Sequence, residues 1–372
     1  MRVVSLFSGI GGFETGFAKS GLKTVLMCES DPAARAVLAK RFPDVEIRKD
    51  INRMRSLPTC EVLAAGWPCQ DLSQAGRTAG ISGLRSSLVA EVFRLLAAAS
   101  RKPDLVVLEN VAFALHLQQG KALSFVTDQL EFLGYRWAYR ILDTKNFGLP
   151  QRRRRLFVVA SLSRNPVDIL FDGFGTNIKT WPALQSKFGF YWTEGNSGIG
   201  WSPGAIPPLK GGSGLSIPSP PAIWKMETQD FIVPGIRDAE RIQGFSSSWT
   251  KMNGASPREE RLRWRLVGNA VSVPVAEWIG GRIKECDPVS EVTAIKSTKR
   301  ANAGMGGPKQ RSRSLLISEA PSSSKHVTLD EFEIRFPAPL SQRAASGFLS
   351  RVTKSSLRVD ERFVADLRAY TR

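Results

Sequence analysis

An α/β fold, a Rossmann-like and mostly parallel sheet with helices on both faces, is predicted for this chain by three observations. Short apolar runs alternate with helix-patterned segments through residues 1–160. The first run ends in a glycine-rich turn that opens a helix, and acidic residues stand directly after the next two runs.

Taken in order, "RVVSLF" (2–7) is a strand that ends in "SGIGG", and "FETGFAKSG" reads as a helix closed by Gly21. "KTVLMCE" (23–29) is the next strand. Asp31 then has the chemistry of an N-cap and Pro32 that of a first helical residue, so "PAARAVLAKRF" is a helix with its start signals in place. "VEIRK" is a short strand, followed by Asp50. "EVLAAG" (61–66), "DLVVLEN" (104–110), "RWAYRILD" (136–143) and "RLFVVAS" (155–161) continue the strand series, with helices over 86–100 and 121–133.

From residue 162 the texture changes to Trp, Gly and Pro with little periodicity, as in a loop-rich lobe that reads another molecule's surface. Trp192, Trp201 and Trp224 are expected to anchor that lobe. Regular patterning resumes at 236–245 and 272–283. These textures divide the chain into a principal domain 1–160, a loop-rich region 161–236, a return to the principal domain at 237–286, a flexible linker 287–325 and a C-terminal helical extension 326–372. The extension repeats apolar residues at helical spacing with arginines between them, and is expected to pack beside the loop-rich lobe.

The 52 Lys+Arg against 34 Asp+Glu give a net charge of +18, which fits a polyanionic partner, nucleic acid first. Four Cys, no CxxC pair and 2 His argue against a structural metal or a disulfide framework, so no metal is expected. The start at Met1 runs straight into a strand, and no long apolar stretch occurs, so a cytoplasmic protein with no membrane contact is expected.

Glycines between a first strand and a helix let backbone approach a ligand, and "FSGIGG" has that context; a purely structural turn has the same pattern. Glu29 could accept hydrogen bonds from two ribose hydroxyls and Asp50 from an adenine amine, which makes a nucleoside cofactor the expectation. Cys69, in "GWPCQDLSQAG", is open to reading as a disulfide half, a metal ligand, a nucleophile or a small buried hydrophobe. The cysteine and histidine counts narrow this to the last two.

"FSGIGG", "GWPCQDLSQAG", "LEN", "NFGLPQRRRR", "RIQGF" and "GNAVSVPVAEWI", in this order, resemble the signature motifs of the C5-cytosine DNA methyltransferases. Trp67 stands where the family usually has Phe, and Asp71 where it often has Pro. The resemblance implies catalytic roles for Cys69, Glu109, Arg153 and Arg155. It implies an S-adenosylmethionine site at Phe7, Gly9, Gly11, Gly12, Glu29, Asp50, Ile51, Pro68 and Asn269. Gln151, Ser73 and Gln74 would meet the substrate. Residues 161–236 become the target-recognition region. The implied partners are double-stranded DNA and a cognate restriction endonuclease, with the enzyme itself a monomer.

The chemistry asks for these residue types. Carbon 5 of cytosine is a poor nucleophile until a thiolate adds to carbon 6, so a cysteine activated below its usual value near 8.5 is needed. A carboxyl group at N3 and the exocyclic amine stabilises the ring during that addition, the role implied for Glu109. Alternation along "QRRRR" puts Gln151, Arg153 and Arg155 on one face and Arg152 and Arg154 on the other. Arg155 is implied near the cytosine O2. A tRNA cytosine methyltransferase is the nearest rival reading, and a non-catalytic DNA-binding module the other. Cys28, Cys60 and Cys286 are read as non-catalytic, and His116 as a surface or structural residue.

Overall fold

In a computed structural model, residues 1–67, 88–172, 184–196, 198–211, 220–252, 256–285, 295–296, 301–308 and 310–372 are described. The chain opens with β1 (Arg2–Leu6), α1 (Gly12–Lys19), β2 (Lys23–Cys28), α2 (Pro32–Arg41), β3 (Glu46–Arg48) and β4 (Val62–Gly66). Next come α3 (Leu88–Ala98), β5 (Leu105–Val111), α4 (Lys121–Phe132), β6 (Arg136–Asp143), β7 (Arg154–Ser161) and α5 (Pro166–Leu170). Asp31 caps α2 by accepting from the amides of Ala33 and Ala34, with Pro32 at the first turn.

Further along lie β8 (Lys187–Phe190), β9 (Ser202–Pro203), β10 (Ala222–Lys225), β11 (Asp230–Pro234), α6 (Ile236–Ile242) and α7 (Pro257–Asn269). They are followed by α8 (Val273–Glu285), β12 (Ile295–Lys296), β13 (Ala303–Gly307), β14 (Gln310–Leu316), β15 (Pro337–Pro339), α9 (Gln342–Lys354) and α10 (Glu361–Tyr370). Two compact units result. One comprises Met1–Asp143, Arg154–Ile178 and Val271–Ser324; the other comprises Thr144–Arg153, Lys179–Ala270 and Lys325–Arg372.

The first unit is built on a sheet in the order β12-β14-β13-β6-β7-β5-β4-β1-β2-β3. The run from β3 to β5 is parallel, and its strands β1, β4 and β5 are buried on both faces, as Val3, Val4, Leu63, Ala64, Val106 and Val107 attest. From β7 outward the pairing is antiparallel. The helices α3 and α4 supply Val92, Leu95, Leu96, Val126 and Leu130 to a core shared with Leu6, Leu63 and Leu108.

The expected flexible linker at 287–325 requires correction. Within it, β13 pairs with β6 and β14 pairs with β13, so described residues of that interval extend the first unit's sheet. Its glycines are the reason. A methyl group on Gly304 would lie 2.5 Å from the Tyr139 ring and one on Gly306 2.6 Å from Trp137, so these strand glycines leave room for large rings across the ladder. A composition that reads as disorder is here a template for aromatic packing.

The second unit holds an antiparallel sheet, β15-β11-β10-β8-β9. Its core gathers Phe190, Trp224 and Phe231 from the strands with Phe348, Phe363 and Leu367 from α9 and α10. Trp224 is fully buried and its indole N–H donates to Asp366 at 3.1 Å; Trp192 and Trp201 pack partly buried against the same cluster. The C-terminal helices thus share the lobe's core. The expected return to the principal domain at 237 also moves, to Val271. Buried acids explain the shift. Asp238 accepts from the amides of Arg335 and Phe336, and Glu240 from Thr250 and Arg263, so α6 is satisfied within the second unit.

Candidate active site

The glycine loop leaves β1 through Phe7, which holds φ +56, a left-handed conformation that costs a non-glycine residue about 1–2 kcal/mol. Gly9 follows at φ +57, and a side chain built on it would meet nothing within 4 Å. Bare backbone therefore faces open space at the strand end, as close approach to a ligand requires. The Gly9 amide donates to one Glu29 oxygen at 2.7 Å and the Asp31 amide to the other at 2.8 Å. Two amides fix the carboxylate at the end of β2 and leave lone pairs over for hydroxyl donors.

Gly11, at φ +91, packs against Phe42, while a methyl group on Gly12 would sit 2.4 Å from the Val271 carbonyl oxygen. Val271, the first residue of the returning segment, thereby lies against the loop. Asp50 accepts from the amide and side chain of Asn52, both at 2.9 Å, and the amide bond, with the side-chain bond second, holds its carboxyl below the usual range. Ile51 is buried beside it.

Glu109 lies near the C-terminal end of β5 and is 8 % exposed. Its cross-strand partner is Gly66, the last residue of β4, so the chain passes Glu109 on its way to Cys69. On the other side Arg155 pairs with it, Nε to Oε1 at 3.2 Å, both side chains mostly buried. Asn110 donates to the Trp67 carbonyl at 3.3 Å and tethers the start of the thiol loop. Pro68, Cys69, Ser73 and Gln74 lie outside the described residues.

Gln151 and Arg153 belong to the second unit, and both are buried. The Gln151 side chain donates to Gln243 Oε1 at 2.8 Å and accepts from the Leu209 amide at 3.0 Å. Arg153 donates to the carbonyls of Leu209, Gly268 and Ala270. Gln243 donates to the Ala270 carbonyl at 2.6 Å, closing a network through the "QRRRR", "RIQGF" and "GNAV" segments. The "RIQGF" motif is visible in sequence without a role for Gln243; the available signal was a lone amide among apolar residues, directly after α6. Asn269 ends α7, exposed, with its side-chain oxygen beside Gly211.

The remaining described cysteines are inert by environment. Burial pushes the Cys28 and Cys60 thiols up to about 11, leaving almost no thiolate near neutral pH.

The glycine loop after β1, the amide-held Glu29 after β2 and the buried Glu109–Arg155 pair gather at the strand ends of one sheet, as in a methyltransferase of Rossmann-like fold. The family described as C-5 cytosine-specific DNA methylase matches residues 1–188. The type II methyltransferase M2.BsuMI of Bacillus subtilis is 42% identical over 378 residues, covering 99% of this chain and 97% of that protein. The type II methyltransferase M.NlaIV of Neisseria lactamica is 34% identical over 187 residues, 46% of this chain and 44% of its own length. Among solved structures, the S. pombe Dnmt2 methyltransferase superposes with a TM-score of 0.54 at 15% identity, covering 77% of this chain and 98% of that one, a likeness of fold. The chain belongs to the C-5 cytosine-specific DNA methylase family and is a DNA (cytosine-5-)-methyltransferase.

Proposed function

We propose that this enzyme transfers the methyl group of S-adenosylmethionine to carbon 5 of a cytosine flipped out of a specific duplex DNA sequence, as the modification arm of a type II restriction–modification system. The observation that carries it is the Glu109–Arg155 pair beside the strand that leads to Cys69. The similarity to type II methyltransferases supports the biological setting, and the +18 charge supports a DNA partner. Acting in the cytoplasm as a monomer, opposite a cognate endonuclease, completes the reading.

The Cys69 thiolate adds to carbon 6 and electron density moves to carbon 5; Glu109 hydrogen-bonds N3 and the exocyclic amine as the ring gains charge. Arg155, held by Glu109, keeps that carboxyl oriented and lies near the cytosine O2. Carbon 5 takes the methyl group, the proton on carbon 5 leaves to a base, and the thiolate is expelled from carbon 6. The base must leave the stack for this, because carbon 6 is attacked from above the ring plane. The glycine loop with Glu29, Asp50 and Ile51 fits a cofactor of nucleoside type, since Gly9 offers uncovered backbone and Glu29 spare acceptor capacity. When bound, S-adenosylmethionine would supply the electrophilic methyl group, its sulfur–methyl bond breaking to leave the neutral thioether S-adenosylhomocysteine.

Plasmid DNA incubated with the enzyme and S-adenosylmethionine, then sequenced after bisulfite treatment, should show 5-methylcytosine at one recurring sequence. Duplexes with 5-fluorocytosine there should stay covalently attached to wild type and not to Cys69→Ala. Transfer to tRNA with none to duplex DNA would overturn the reading.

A further inference from the structure

Beyond β14 the chain passes the end of β6. Arg140, 1 % exposed, donates to the carbonyls of Ser318 at 3.0 Å and Ala320 at 2.6 Å, so the residues on both sides of Glu319 are pinned. The Glu319 carbonyl itself accepts from the Asp143 amide at 3.2 Å, at the end of β6. Its carboxylate takes Arg154 in a two-point grip, Nε to Oε2 at 2.8 Å and Nη2 to Oε1. Arg154 is the first residue of β7 and the cross-strand partner of Asp143. The next residue is Arg155, whose Nη1 donates to the Arg154 carbonyl at 2.9 Å and whose Nε meets Glu109.

We infer that Glu319 is a positioning residue for methyl transfer: by clamping Arg154 at the start of β7, it fixes the strand end from which Arg155 reaches Glu109. This rests on the proposed reaction. Glu319 lies outside the segment matched to the family, 1–188, in the interval where sequence alone suggested a linker.

The bland alternative is a surface ion pair of little consequence, and with Arg154 half exposed such a pair usually contributes little to stability. Two features weigh against that. The grip is bidentate, which fixes orientation as well as distance. The backbone that carries the carboxylate is also held, at Ser318, Glu319 and Ala320, by the Arg140 and Asp143 bonds, so the grip on Arg154 is anchored to the end of β6. A small effect on stability with a large effect on rate is therefore the signature, since displacement of a site group by about 1 Å can slow a reaction up to about a hundredfold.

The test uses the full-length enzyme with Glu319→Ala, Arg154→Ala and the exchanged pair Glu319→Arg with Arg154→Glu. Each single variant should lower the single-turnover rate about tenfold, with the KM for S-adenosylmethionine within about twofold and the melting temperature nearly unchanged. The exchanged pair should recover to within about threefold of wild type. Unchanged single variants overturn the inference. So does an exchanged pair no faster than the singles, or a rate loss that only tracks the unfolded fraction. Should wild type transfer no methyl group to DNA, the reading of function fails instead, and amide exchange along β7 still decides the clamp. Exchange about tenfold faster at Arg155 and Leu156 in Glu319→Ala supports it, and unchanged exchange overturns it.

Discussion

Glu109, for which a role at the cytosine ring is proposed, is mostly buried and paired to Arg155. Glu109→Gln keeps the shape and the partner Arg155 but removes the acid, and the single-turnover rate should fall by roughly two to four orders of magnitude with a smaller change in DNA affinity. A rate equal to wild type in rapid-quench measurements would remove Glu109 from the chemistry. A second carboxyl, Glu14, is 1 % exposed in the first turn of α1. Burial pushes it above its ordinary value near 4.5; the Ser5 and Ser8 hydroxyls beside it act the other way, and the charge of Glu29 adds to the rise. The folded state thus favours the protonated form. Its contribution to stability is complete below about pH 4.5 and is lost as pH rises through the folded value, at about 1.4 kcal/mol for each unit of displacement. Glu14→Gln cannot ionise, so its melting temperature relative to wild type should climb as pH is raised from 4.5. A constant offset across that range would show that Glu14 carries no such strain.

Between α1 and α8 the backbones come very close. A methyl group on Gly16 would lie 2.6 Å from Ala276 Cβ, the Glu277 amide and the Val273 carbonyl, atoms that cannot move without displacing α8. Alanine favours a helix over glycine by about 1 kcal/mol, yet overpacking costs about 1–3 kcal/mol, so Gly16→Ala should lower the urea midpoint at an unchanged slope. Elements such as α1, α2 and the strands from β1 to β7 were legible in sequence, because caps, glycine turns and continuous apolar runs are local signals. "RWAYRILD" matches β6 residue for residue. The strands β13 and β14 were not legible, since "AGMGG" has no apolar run and its pairing depends on the Trp137 and Tyr139 rings far away in the chain. The same limit applies to the site. Motif residues at strand ends, Glu29, Asp50 and Glu109, are marked by local pattern, whereas no local signal joins Arg153 to the "GNAV" backbone 115–117 residues away, and Glu319, the partner of Arg154 at a separation of 165, carries no motif at all.

For the whole molecule, the discontinuity of the second unit sets what can be removed. Phe348, Phe363 and Leu367 are fully buried with Phe190 and Trp224, so a chain ended after Ser324 loses part of that lobe's core. Such a truncation should abolish cooperative unfolding of the lobe and specific DNA binding, while S-adenosylmethionine affinity by calorimetry stays within about threefold, because the glycine loop and its partners all belong to the first unit. A truncated protein that still binds its site as wild type does would show the extension to be dispensable. The Trp224–Asp366 bond spans 142 residues. At synthesis rates of about 5–20 residues per second, the strands of the lobe wait roughly 7–28 s on the ribosome for the helices that cover their aromatic face. During that interval a newly made chain has the strands of the second unit but not the helices that complete their core, so this unit closes only after the residues through Leu367 have been made.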